Sequence, residues 1–268
     1  MVRVGLVGCG TIGSQLAFAL ERRYNRWARL VALHDRDPAR AAALQQQLRT
    51  PPPVRSLASL IHHAQLIVEA ASADIALDVV RRALRAHKDV LVMSVGGLLP
   101  RQRWQPLVRR SRGRVYLPSG ALVGLDGVKA MALGRVRRVA LTSRKPPQAL
   151  REAAYVRRRG IRLESLRAPR LIFEGSAEAA VKAFPQNVNV AATLTLASGL
   201  SGRAVRVNIV ADPTIRRNRH EIEIEGDCGR LQAQVESRPS RNPKTSELAI
   251  RSAIAMLGRI LEPVMIGT

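Results

Sequence analysis

Val4-Gly5-Leu6-Val7-Gly8-Cys9-Gly10-Thr11-Ile12-Gly13 stands at the head of the chain. It reads as a buried strand that runs straight into Gly-x-Gly-x-x-Gly and then into a helix. In that setting each glycine has its own reason. Gly8 permits a tight turn, Gly10 lets the backbone approach a pyrophosphate, and Gly13 lets the new helix pack closely on the strand. The helix start, at Thr11 and Ile12, offers N–H groups with no partner inside the helix and a partial positive charge. Glycine-rich turns are common, so the spacing needs a context, and Asp35 supplies it. It closes a second apolar run, Leu30-Val31-Ala32-Leu33, and lies 22 residues after Gly13. A dinucleotide-binding unit places the carboxylate for its adenine-side ribose roughly 20 residues on. Gly8, Gly10, Thr11, Ile12, Gly13 and Asp35 are therefore the expected cofactor-binding residues.

The remaining composition narrows the class. At 268 residues and 46% hydrophobic content, the chain has ample core for two domains. Its longest apolar run, 90–99, falls far short of the roughly 18 residues a membrane span needs. The apolar first ten residues are better explained by strand and glycine turn than by a signal peptide. Cys9 and Cys228 have no metal or redox spacing, so no metal site is expected. These features lead to the expectation of a soluble, cytoplasmic protein without disulfides.

The formal charge of +24 raises nucleic acid as a partner. Of the 44 basic residues 39 are arginines, but they are scattered, with 157–159 the single triplet. Aromatic residues make up only 3%, too few for stacking on exposed bases. Nucleic acid is not the expected partner. A positive field would still steer small dianions and nucleotides toward a cleft.

Along the first 120 residues strands and helices alternate. Residues 2–7, 30–35, 66–70, 90–95 and 115–117 read as strands, with amphipathic helices at 13–23, 39–48, 73–86 and 100–112. Such alternation indicates βαβ units and a parallel sheet. Beyond residue 120 strands at 136–142, 171–174, 204–211, 220–226 and 231–237 run with only two helices, 176–183 and 188–198. That pattern suggests a mixed sheet. A final helix at 247–261 presents Leu248, Ile254, Leu257 and Leu261 and needs burial. The fold class is α/β, a Rossmann dinucleotide-binding domain plus an α+β domain with a mixed sheet.

Several segments together resemble the L-aspartate dehydrogenase family of NAD(P)-dependent amino-acid dehydrogenases. They are the glycine fingerprint, Val92-Met93-Ser94-Val95-Gly96-Gly97-Leu98, Pro118-Ser119-Gly120-Ala121 and Phe173-Glu174-Gly175-Ser176. Phe184-Pro185-Gln186-Asn187-Val188-Asn189-Val190-Ala191-Ala192-Thr193-Leu194, Asn218-Arg219-His220-Glu221 and Asn242-Pro243-Lys244-Thr245-Ser246 complete the set, in the family's order. The resemblance implies oxidation of L-aspartate to iminosuccinate, which hydrolyses to oxaloacetate and ammonia. Iminosuccinate would feed NAD biosynthesis, or the reverse reaction would fix ammonia. It also implies a cofactor domain at 1–121 and 243–268, interrupted by a catalytic and dimerisation domain at 122–242, and a homodimer.

By motif match His220 is the family's catalytic histidine, a general acid/base. Strict alternation in His220-Glu221-Ile222-Glu223-Ile224-Glu225 puts the imidazole on the apolar face, away from the glutamates. A hydrogen-bonded core histidine is the plain alternative. Ala121 and Asn189 match positions that contact the cofactor near its nicotinamide half. Lys244, Arg144 and Lys145 are candidate anchors for a dicarboxylate. Asp35 accepts from a free 2′-hydroxyl and repels a 2′-phosphate, so NAD is the expected cofactor, with Arg36 and Arg40 leaving NADP admissible. Val123, Gln186 and Arg219 depart from the family pattern and bear on strict aspartate specificity. Two other readings remain, another two-domain NAD(P) oxidoreductase of the aspartate pathway and a nucleotide-sensing nucleic-acid-binding protein.

Overall fold

The computed structural model describes residues 1–99, 104–184, 189–240 and 246–267. The chain forms two units, Met1–Pro118 with Ile250–Ile266, and Ser119–Ala249 with the last two residues.

The first unit alternates β1 (Val2–Val7), α1 (Thr11–Arg22), β2 (Ala28–His34), α2 (Pro38–Gln47), α3 (Leu57–His63), β3 (Leu66–Glu69), α4 (Ala73–Arg85), β4 (Asp89–Val92), α5 (Gln105–Arg110) and β5 (Val115–Tyr116). All its strand pairs are parallel, in the order β2-β1-β3-β4-β5. Val4, Leu6, Ile67, Val68, Val90 and Leu91 are fully buried, as expected of strands covered on both faces. Strand β4 ends at Val92, because residues 95–97 turn into a short 3-10 helix rather than extending it. Of the expected helix at 100–112 only α5 and its flanks are described, 100–103 lying outside the described residues.

The last helix, α10 (Glu247–Leu261), enters the first unit at Ile250. Ala253 and Leu257 join the core of Leu6, Leu16, Leu20 and Tyr24, and the Tyr24 hydroxyl donates to the Ile254 carbonyl at 2.8 Å. Its most buried stripe is Ile250, Ala253, Leu257 and Gly258, while Leu248, Ile254 and Leu261 are only partly covered. Small residues let the helix axis approach the core, which turns the larger side chains to the flanks of the contact.

The second unit contains α6 (Leu125–Met131), β6 (Val136–Lys145), α7 (Ala154–Arg158), β7 (Arg170–Ser176), α8 (Ala177–Ala183), α9 (Asn189–Ala197), β8 (Arg206–Ala211), β9 (Asn218–Gly226) and β10 (Gly229–Ser237). Its sheet runs β10-β9-β6-β8-β7. The β6–β8 pair is parallel and the other three are antiparallel, so the sheet is mixed. Strand β6 continues to Lys145 rather than stopping at Thr142. Ser143 and Lys145 keep the inward alternation set by Leu141, so polar residues there do not mark a strand end.

Strand β9 alternates without a break: Asn218, His220, Ile222 and Ile224 are buried, Arg219, Glu221, Glu223 and Glu225 half-exposed. On the outer side the glutamates meet arginines, Glu221 with Arg144 at 3.2 Å and Glu223 with Arg230 at 2.9 Å. Glu236 of β10 lies 3.4 Å from Arg219. Exposed pairs of this kind contribute about 0–1 kcal/mol each, but they neutralise part of the arginine excess locally. No helix among the described residues is long and apolar enough to cross a membrane.

Candidate active site

In the first unit β1 has β2 on one side and β3 on the other, so the sheet order reverses beside β1. Open α/β sheets bind ligands at the carboxyl ends of the strands at such a point. The Gly8 loop occupies that position. Gly8 has φ +95°, and a Cβ there would sit 2.6 Å from the backbone of Ala70 and Ala71. A Cβ on Gly13 would collide with the Gly8 carbonyl, so α1 can start this close to β1 only with glycine. Beside Gly10 nothing lies within 4 Å, the open space that a phosphate approaching the backbone needs.

Thr11 and Ile12 open α1, whose first turn carries no acidic residue and whose start has no side-chain cap. The helix dipole and its first N–H groups therefore favour an anion. Asp35 follows β2 and is fastened to the same loop: Oδ2 accepts from Cys9 N at 2.7 Å and Oδ1 from Asp37 N at 2.9 Å. Burial and the Asp35 carboxylate push the Cys9 thiol up to about 12, so Cys9 is an inert filler. These residues fit a dinucleotide, with a phosphate cradle and a fixed carboxylate at the end of the neighbouring strand.

In the second unit the inner sheet face changes character toward one end. Val139, Leu141, Ile222 and Ile224 are apolar, and beyond them lie Ser143, Lys145, Asn218, His220 and Ser237, all buried. Register explains the grouping: His220 stands opposite Ser143 on β6 and Val235 on β10, and Asn218 opposite Ser237. The Ser143 hydroxyl and His220 Nδ1 share a hydrogen bond of 2.9 Å. With Nδ1 engaged, the imidazole orientation is fixed and Nε2 is the nitrogen left for other chemistry.

The electrostatics follow from burial. Lys145 is only 5% exposed, and desolvation pulls its ammonium down to about 8. His220 is pulled down to about 3, first by burial and then by the charge of Lys145. The imidazole is therefore neutral at physiological pH and stands beside a cation whose charge is costly unless an anion meets it.

Not every expected residue joins this cluster. Arg144 lies on the opposite face of β6, with Nε donating to Glu221 at 3.2 Å, so it is turned from His220. Ala121 is buried in a turn closed by Leu122 N and the Ser119 carbonyl at 3.2 Å, with Gly120 at φ +64°. Asn189 is exposed at the start of α9. Lys244 and Gln186 lie outside the described residues. Val123 is 44% exposed, and Arg219 faces outward to Glu236. Ser143, Asn218 and Ser237 were not singled out as site residues from sequence. Extending the β6 alternation past Thr142 is the signal that would have found Ser143.

Comparison with known proteins agrees with this geometry. Residues 126–260 match the family model described as aspartate dehydrogenase, C-terminal, and residues 8–117 the homoserine dehydrogenase NAD binding domain. The L-aspartate dehydrogenase of Methanosarcina barkeri is 42% identical over 273 residues, covering all of both chains. The chain belongs to the L-aspartate dehydrogenase family. A Bordetella bronchiseptica relative, L-aspartate dehydrogenase 3, is 39% identical over 99% of this chain and 97% of its own. The crystal structure of Thermotoga maritima aspartate dehydrogenase superposes with a TM-score of 0.76 at 25% identity, covering both chains fully. This member of the family is an oxidoreductase that uses a nicotinamide cofactor.

Proposed function

We infer that the protein is an NAD-dependent L-aspartate dehydrogenase, oxidising L-aspartate to iminosuccinate, which water converts to oxaloacetate and ammonia. The observation that supports this most is the buried pairing of a neutral imidazole and an ammonium on one sheet face. The chain that carries this pair also carries a dinucleotide cradle. The bound nicotinamide supplies the acceptor for the hydride that leaves Cα.

The chain's own residues handle protons and charge. Lys145 offers its cation to a substrate carboxylate, and burial strengthens that attraction. Once the carboxylate pairs with Lys145, its charge no longer opposes protonation of His220. The imidazole then becomes a stronger base with substrate present than without it. Ser143 holds Nδ1, so Nε2 takes a proton from the amine as the imine forms and passes it to solvent, and, neutral again, takes one from the water whose oxygen attacks the imine carbon. Returning that proton to nitrogen leaves the imidazole neutral, and it then takes the proton of the new hydroxyl as the C=O forms, the C–N bond breaks and ammonia leaves.

Ala121, Asn189 and Lys244 are assigned to cofactor and substrate contacts on the family resemblance. Asp35, with both carboxylate oxygens already accepting backbone N–H groups, favours a free ribose hydroxyl over a phosphate, which supports NAD over NADP. A homodimer is the assembly proposed on the same resemblance. Quantifying products tests the chemistry. Ammonium and oxaloacetate are expected in a one-to-one ratio with NADH, and NADH formed without ammonium would rule the deamination out.

A further inference from the structure

Glu69 is the last residue of β3, fully buried, and the chemistry proposed above does not use it. Its position is informative. Strand β3 lies between β1 and β4, so its carboxyl end borders the crevice beside the Gly8 loop.

The carboxylate is satisfied by donors from two separate loops. Oε1 accepts from Ala71 N at 2.9 Å and from the Ser94 hydroxyl at 2.9 Å, while Oε2 accepts from Ser94 N at 3.0 Å. Ala71 belongs to the β3–α4 loop, whose backbone is the surface that Gly8 approaches with no room for a side chain. Ser94 belongs to the loop after β4, where Gly97 in turn contacts the Ala73 backbone closely. One buried side chain therefore ties the fingerprint's packing partner to the next loop along the crevice. Burial pushes the Glu69 carboxyl up, and the hydrogen bonds from Ser94 and Ala71 oppose that rise. An apolar residue would fill the space at lower desolvation cost but would leave two backbone donors unmet.

We propose that Glu69 is a positioning residue of the cofactor site, its carboxylate clamping the Ala71 and Ser94 loops in the conformation that receives the dinucleotide. This rests on the reading that the first unit binds NAD. It predicts a defect confined to the cofactor. Glu69→Gln keeps the shape but offers one acceptor oxygen where two are used, and its amide presents N–H to backbone N–H. Ser94→Ala removes a single bond and keeps the fold under milder stress.

The test is calorimetric titration of NAD into wild type, Glu69→Gln and Ser94→Ala, with hydrogen exchange read at the amides of Ala71 and Ser94. Expected are an NAD Kd raised about tenfold in Glu69→Gln and less in Ser94→Ala, with faster exchange at both amides in Glu69→Gln. The KM for NAD should rise in step, with kcat at saturating NAD within about twofold. Wild-type NAD affinity in both folded variants overturns the proposal, as does a Ser94→Ala that loses kcat and leaves NAD affinity intact. Absence of NAD binding to folded wild type overturns the cofactor reading beneath it, a distinguishable result.

Discussion

His220→Ala is expected to lower kcat for aspartate oxidation about 1,000-fold, within the range that positioned general acid–base groups supply. Cofactor affinity should be unchanged, because nothing in the Gly8 cradle is altered. The reason for so large an effect is geometric. His220 is held through Nδ1 by Ser143 in a buried setting, and no other histidine shares that face of β9 and β6 among the described residues. Folding provides an internal check. The imidazole is pulled down to about 3 in the folded chain from an ordinary value of 6.5, so the unfolded chain binds the extra proton between those values. Stability therefore rises with pH across that window and is lost as pH falls through it. The variant lacks this term, so its stability should decline less on acidification from pH 6.5 toward 3. Chemical denaturation at a series of pH values reads the difference.

Lys145→Met should pull activity and stability in opposite directions. Loss of the buried cation is expected to raise the KM for L-aspartate about 100-fold, since a desolvated carboxylate would lose its charged partner. Stability should increase at neutral pH. Lys145 sits at about 8 in the folded chain against 10.5 ordinarily, so retaining its charge in the interior costs about 3 kcal/mol below pH 8. The cost fades as pH rises from 8 to 10.5, because the unfolded chain then binds more protons than the folded one. The gain from methionine should fade over the same interval. In wild type the KM should climb above pH 8 as the ammonium empties. A variant that lost stability at pH 7 while keeping its KM would remove Lys145 from substrate recognition.

How far the sequence reaches depends on the kind of residue. The glycine spacing and Asp35 indicated the parallel-sheet unit because Gly8 and Gly13 answer backbone constraints that only glycine meets, while Gly10 leaves open space beside the turn. Alternation in 220–225 placed His220 on the buried face, because period-two patterning determines the face whatever the tertiary context. The same rule misled at Ser143 and Lys145, where polar residues on a buried face look like a strand end. Short helices such as α3, α6 and α7 escaped for a different reason: five to seven residues hold too few turns for a period to show. Glu69 was invisible because its role depends on Ala71 and Ser94, and only strand pairing brings Ser94, 25 residues on, to its carboxylate.

NADH formation by the wild-type chain against a panel of L-amino acids, with NAD in excess, is the decisive measurement. L-Aspartate should give a rate far above L-glutamate, L-asparagine, L-alanine and L-homoserine. A folded, NAD-binding protein that forms no NADH from L-aspartate, or that prefers another amino acid, would contradict the assignment.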